Sequence, residues 1–143
     1  MSIRALPLLI VPLVLYNIIV VFAGSGPASG PLGATLFKLS MLQPGAVWTF
    51  TWGDLIIFVT MLVLFAELVK ATYTSSISLV DHGLSMLVFV ACIVEFLVVS
   101  NAATSVFFFI MLATLIDVVA GYSVSILAAR RDFSIGHNDG GGL

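Results

Sequence analysis

Residues 104–129 read TSVFFFIMLATLIDVVAGYSVSILAA, and Asp117 is the only charged residue among them. A helix needs about 20 predominantly apolar residues to cross the ~30 Å hydrocarbon core of a bilayer, and this stretch is long enough with turns to spare. Three other stretches have the same character, so helices are expected at about 5–23, 54–72, 77–100 and 104–129. Strands are excluded in such surroundings because their backbone groups would go unpaired in lipid. The short alternating segments of an outer-membrane barrel are absent from the pattern.

Composition points the same way. The 143 residues are 61% hydrophobic and 8% charged, against about 25% charged in an ordinary soluble domain. So few charges cannot cover a water-facing surface, and the solvent expected for most of the surface is lipid. A net charge of −2 supplies no basic patch for nucleic acid. The expected fold class is all-α: an integral membrane four-helix bundle, occupying residues 1–131, followed by a flexible cytoplasmic tail at 132–143.

The basic residues set the expected orientation. With the N-terminus inside, Arg4, Lys70, Arg130 and Arg131 fall on the cytoplasmic face and Lys38 alone on the outer face, which is the positive-inside pattern. Both termini are then cytoplasmic, in a plasma membrane of the bacterial inner-membrane kind. Arg4, the apolar run after it and Phe22-Ala23-Gly24-Ser25 also resemble a secretory signal peptide. The run is long for that role, however, and its removal would leave an odd number of spans, so it is read as the first helix.

The connections are informative as well. Gly24 to Ala34, GSGPASGPLGA, reads as an outer loop able to form neither helix nor strand. Residues 35–42, TLFKLSML, surround Lys38 with apolar side chains and are expected to form a short interfacial helix stopped by Pro44-Gly45. Trp48 and Trp52 precede the second span and read as interfacial anchors at headgroup level, or alternatively as a lid over an outer cavity. Ser78 followed by Asp81 has the spacing of a capping box at the start of the third helix. The very short turn at Asn101 makes the third and fourth helices antiparallel neighbours.

Three carboxylates fall inside the predicted spans. At about 1.5 Å per residue, Glu95 lies about 7 Å outward of the midplane, Asp117 within about 2 Å of it and Glu67 about 7 Å inward, with Tyr16 and Asn17 about 3–5 Å outward. Charged groups at such depths are expensive, about 2.5–3.5 kcal/mol each on insertion scales, so they should face the bundle interior. Ala113, Gly121 and Ser125 form a small-residue stripe with Asp117 that suits close helix approach. Phe107, Phe108 and Phe109 are expected to meet lipid or a partner. With no cation at its depth, Asp117 is expected to hold its proton at neutral pH and to donate a hydrogen bond. Lys70 is placed to pair with Glu67 at i,i+3, and Lys70, Asp81 and His82 form an inner-face polar cluster.

These features lead to two expectations of different class. In the first, Asp117, Glu95, Glu67, Asn17 and Tyr16, with Thr60, Thr114 and Ser125, are a polar core that holds helices together. The chain is then an accessory or scaffold subunit of a membrane complex, or a self-associating bundle, whose partners are the bilayer and other membrane subunits or copies of itself. In the second, Asp117, Glu95, Glu67, Asn17 and Tyr16 relay protons in a proton-coupled carrier or proton-conducting protein. An enzyme is not expected, since no nucleophile–base pair is recognisable. No cofactor is expected either: with His137 in the tail, a bis-histidine haem is excluded on count. Glu67, Asp81 and His82 carry no metal-ligand spacing. The lone cysteine, Cys92, reads as packing.

Overall fold

The computed structural model of the chain describes residues 7–22, 27–72 and 78–136. About three quarters (74%) of the described structure is helical, and two of the five helices among the described residues are long and apolar enough to span a membrane. The helices are α1 (Ile10–Phe22), α2 (Ser29–Leu32), α3 (Trp52–Thr72), α4 (Ser78–Val98) and α5 (Ser105–Gly136), and strands β1 (Thr35–Ser40) and β2 (Val47–Thr51) form an antiparallel hairpin. The spanning-length pair are α3 and the Ser105–Val124 part of α5.

The hairpin corrects the expected all-α fold and its interfacial helix at 35–42. From Phe37 onward β1 alternates Phe-Lys-Leu-Ser, and β2 alternates Val-Trp-Thr-Phe-Thr, so both carry the period of two that suits a strand. Eight residues are too few to carry a helix nucleus unaided, whereas the neighbouring segment offers a full set of ladder bonds. Phe37 pairs with Phe50, Lys38 with Thr49, Leu39 with Trp48 and Ser40 with Val47, with an irregularity between Thr35 and Phe37. The strands are joined at Gln43-Pro44-Gly45-Ala46, where the Ala46 amide donates to the Gln43 carbonyl (3.1 Å). Gly45 has φ +82°, which with Pro44 before it is the pattern of a type II turn.

The glycine- and proline-rich connection also differs from expectation. Ser29–Leu32 makes one helical turn, supported by Gly30 N–H to Pro27 carbonyl (3.0 Å) and Leu32 N–H to Ala28 carbonyl (3.3 Å). Proline's fixed φ is compatible with a helical turn, and burial of Ala28 and Leu32 in the core gives the turn something to close on.

The strand β2 runs into α3 without a linker, and the junction is built locally. The Thr51 amide donates to Asp54 Oδ2 (2.9 Å) and the Asp54 amide donates to Thr51 Oγ1 (3.3 Å), the reciprocal pattern of a capping box. The Thr51 hydroxyl adds a bond to Asp54 Oδ2 (2.8 Å). At the start of α5, the Phe107 amide donates to Thr104 Oγ1 (3.2 Å), so Thr104 is the N-cap. The two starts sit side by side. A Cβ on Gly53 would lie 3.1 Å from Val106 Cγ2 and 3.3 Å from the Leu32 carbonyl oxygen, so only glycine permits this approach without displacement.

α5 packs along both α3 and α4, and α1 lies against α3 and α5. The larger core cluster includes Tyr16, Val20, Leu32, Ile56, Cys92, Phe107 and Ile110, and a smaller one comprises Leu9, Leu64 and Ala113. α1 is shorter than the 5–23 expected of it, beginning after a turn in which Ile10 N–H reaches the Pro7 carbonyl (3.2 Å). α5 is longer: it continues past Arg130 and Arg131 to Gly136, so residues 132–136 of the expected tail are helical. Residues 137–143 of that tail and Arg4 lie outside the described residues. The α4 helix begins at Ser78, but the Ser78 and Asp81 side chains expected to cap it lie outside them.

Candidate functional site: a buried carboxylate pair

Along α3 the buried positions are Gly53, Ile56, Thr60, Leu64 and Glu67, a stripe at helical spacing that ends in a carboxylate. On α5 the corresponding face carries Ile110, Ala113, Thr114, Asp117 and Val118. Both helices run away from the Gly53–Val106 contact. At about 1.5 Å per residue, Glu67 and Asp117 stand about 21 and 17 Å along their axes from it. They therefore lie within about 5 Å of one level, the near end of the roughly 5–9 Å that the depths of the spans taken singly allow. Both are buried, Glu67 3% and Asp117 6% exposed, and each lies in the electrostatic field of the other.

Glu67 has two further partners. The Leu8 backbone amide, just before α1, donates to its Oε1, and Lys70 Nζ lies 3.2 Å from its Oε2. The i,i+3 pairing of Lys70 with Glu67 is thus present. The Leu8 contact was invisible in the sequence, because any backbone amide at any position could have supplied it. Its effect is to cap the start of α1 with a carboxylate from α3, where the free N–H groups and dipole of a helix favour negative charge.

The other residues singled out from the sequence occupy different places. Tyr16 is fully buried at the hairpin end of the bundle. Its hydroxyl donates to the Asn101 carbonyl oxygen (2.7 Å) and shares a hydrogen bond with Thr104 Oγ1 (2.8 Å). Its ring meets Phe107 edge-on at 5.0 Å. Asn17 donates to the Leu13 carbonyl of its own helix (3.1 Å). Glu95 is half-buried and lies within electrostatic reach of Tyr16 and Cys92, and it is not part of the Glu67–Asp117 pair. Thr60 donates to the Ile56 carbonyl (2.7 Å) and Thr114 to the Met111 carbonyl (2.7 Å). These bonds stay within one helix and do not join two, although Thr114 also lies beside the Cys92 thiol of α4. The side chains of Asp81, His82 and Ser125 lie outside the described residues.

Thr104 is the functional position that the sequence reading missed. A threonine immediately before a long apolar run is an N-cap signal, and the same spacing marks Thr51 and Asp54. Between these two helix starts lies an open cleft of about 270 Å³, whose polar lining is Thr51, Asp54, Thr104 and Ser105. Neither tryptophan lines it. Trp48 stands in β2 beside Phe37 and Phe50, and Trp52 is the first residue of α3. Of the three successive phenylalanines expected to face outward, Phe108 and Phe109 do so, whereas Phe107 is fully buried. Among the described residues no cluster of three or more metal-ligating side chains occurs.

Chemically, the Glu67–Asp117–Lys70 group can hold or exchange a proton, or it can act as an electrostatic clasp on α1. No family model, curated protein or solved structure matches this chain.

Proposed function

We propose that the chain is a multi-pass membrane protein, a four-helix bundle with both termini cytoplasmic, that serves as an accessory or scaffold subunit of a membrane complex or as a self-associating bundle. The observation that carries the membrane part is the inverted distribution of polarity. Thr60, Glu67, Ser85, Thr114 and Asp117 are buried, while Val14, Ile18, Phe58, Leu62, Phe65, Leu87, Leu97, Ile116 and Val119 are exposed on α1, α3, α4 and α5. Contiguous apolar surface of this extent marks contact with a membrane or a partner, and in lipid it needs no further cover. α1 is about 20 Å long, short of the ~30 Å hydrocarbon core, and local thinning of the bilayer would accommodate it.

The scaffold part is supported by what the buried polar groups are bonded to. Tyr16 fastens α1 to the turn before α5, and Glu67 fastens the start of α1 to α3. Thr60 and Asn17 are satisfied within their own helices. These bonds hold an element in place and do not make a continuous chain of exchangeable protons. Exposed Phe108 and Phe109 on α5 offer a surface for a neighbouring subunit.

The Glu67–Asp117 pair favours a second reading, a proton-coupled or proton-conducting protein, because adjacent acids in a membrane can pass a proton between them. Proton flux into liposomes carrying the wild type and Asp117→Asn separates the two. The scaffold reading expects no protein-dependent flux, together with a defined oligomer in mild detergent that Asp117→Asn weakens. Flux that disappears in Asp117→Asn with assembly intact establishes the second reading instead.

A further inference from the structure

We propose that the β1–β2 hairpin is a lipid-binding ribbon that lies in the headgroup layer at the outer mouth of the bundle and prefers anionic phospholipid; this rests on the bilayer reading above. The ribbon is two-faced. The register places Phe37, Leu39, Trp48 and Phe50 on one side and Lys38, Ser40, Thr49 and Thr51 with Val47 on the other. On the first side Phe37 stacks on Phe50 at 4.8 Å, and Trp48 meets Phe50 edge-on at 5.5 Å and Phe37 at 6.1 Å. Yet Phe37 and Trp48 remain 49% and 45% exposed. A lone two-stranded hairpin is marginal in water, and the other described residues leave Phe37, Leu39 and Trp48 exposed on this face.

The junction with α3 fixes where the face sits. Thr51 is both the last residue of β2 and the N-cap of α3, and the Trp52 amide donates to the Ala34 carbonyl at the foot of β1 (3.1 Å). The hairpin is therefore held at the mouth of a membrane-length helix, the depth at which tryptophan and other amphipathic rings partition. Charge completes the match. Lys38 is the only charged residue between Arg4 and Asp54, and it stands in the middle of β1 on the polar face, where it can reach a lipid phosphate. A second copy pairing along β1 fits less well, since an irregular ladder and an edge lysine are both features that discourage edge-to-edge pairing.

The chain has two tryptophans, so Trp52→Phe leaves Trp48 as the sole reporter on the ribbon. In vesicles of equimolar phosphatidylcholine and phosphatidylglycerol, Trp48 emission is expected to be quenched by lipids brominated near the carbonyl end of the acyl chain. Quenching by lipids brominated near the methyl end, or by aqueous iodide, should be weak. Brominated phosphatidylglycerol should compete for the site roughly fivefold better than brominated phosphatidylcholine, and Lys38→Gln should bring that ratio close to one. Full iodide quenching of Trp48 without bromolipid quenching overturns the proposal. So does bromolipid quenching that vanishes as protein density rises, which would place a second copy over the face. In Trp48→Phe/Trp52→Phe/Leu62→Trp, the reporter sits on the exposed flank of α3. Deep-bromine quenching there with none at Trp48 sinks the ribbon alone, and failure at both positions sinks the bilayer reading as well.

Discussion

At one end α1 is held by a charged group and at the other by a neutral one. Near Leu8 the holding atom is a Glu67 carboxylate oxygen, balanced by Lys70 and set beside Asp117. Near Tyr16 it is a phenol hydroxyl bonded to a backbone carbonyl and to Thr104, on a ring that meets Phe107, which in turn stacks on Phe96. The comparison teaches that the two ends should fail differently. The neutral end depends mostly on packing, so removing volume there should matter more than removing a hydrogen bond. The charged end depends on compensation, so removing one partner leaves the others stranded in a low dielectric.

The largest effect is expected at the neutral end. Phe107→Ala should lower stability by roughly 3–5 kcal/mol, whereas Phe108→Ala, on an exposed flank of the same helix, should stay within about 0.5 kcal/mol. Denaturant-induced unfolding in mixed micelles measures both, and equal losses would erase the distinction between inner and outer rings on α5. Next comes the charged end. Glu67→Ala should cost about 3 kcal/mol, the low end for a broken buried ion pair because the Lys70 side chain is partly exposed (26%). Glu67→Gln should lose less than half of that, since its amide oxygen can still accept from Leu8. If both variants lose the same amount, the charge and not the cap is what matters.

Smaller effects sharpen the picture. Tyr16→Phe keeps the ring and removes the hydroxyl, and about 1 kcal/mol of destabilisation is expected. A loss as large as that of Phe107→Ala would mean the hydroxyl and not the packing governs this end. The smallest global effect belongs to Gly45→Ala. At φ +82° the added Cβ costs about 1–2 kcal/mol locally, but the hairpin stands apart from the core. Trp48 emission should change while the unfolding midpoint of the bundle does not.

How legible each part was in the sequence follows from how local its cause is. The long apolar helices depend on composition within one segment, and Asp117 at the centre of one of them is conspicuous because it is the only charged residue between positions 104 and 129. The Lys70–Glu67 pair lies one turn apart on a single helix and could be read from spacing. The hairpin could not be read one strand at a time. TLFKLS is ambiguous alone, and the matching VWTFT lies seven residues further on and looks like an aromatic belt in its own right. The caps at Thr51 and Thr104 were within reach of a spacing rule.

The sequence by itself determined the greasiness of the chain, the approximate extent of its apolar stretches and the uneven placement of its basic residues, since these are sums over neighbouring residues. Only the tertiary structure decided that Glu67 and Asp117 share a level, that Leu8 donates to one of them and that Phe107 turns inward beside Tyr16. Each of those facts depends on the rotation and offset of one helix against another. Packing of facing side chains sets these offsets, and no single segment encodes them.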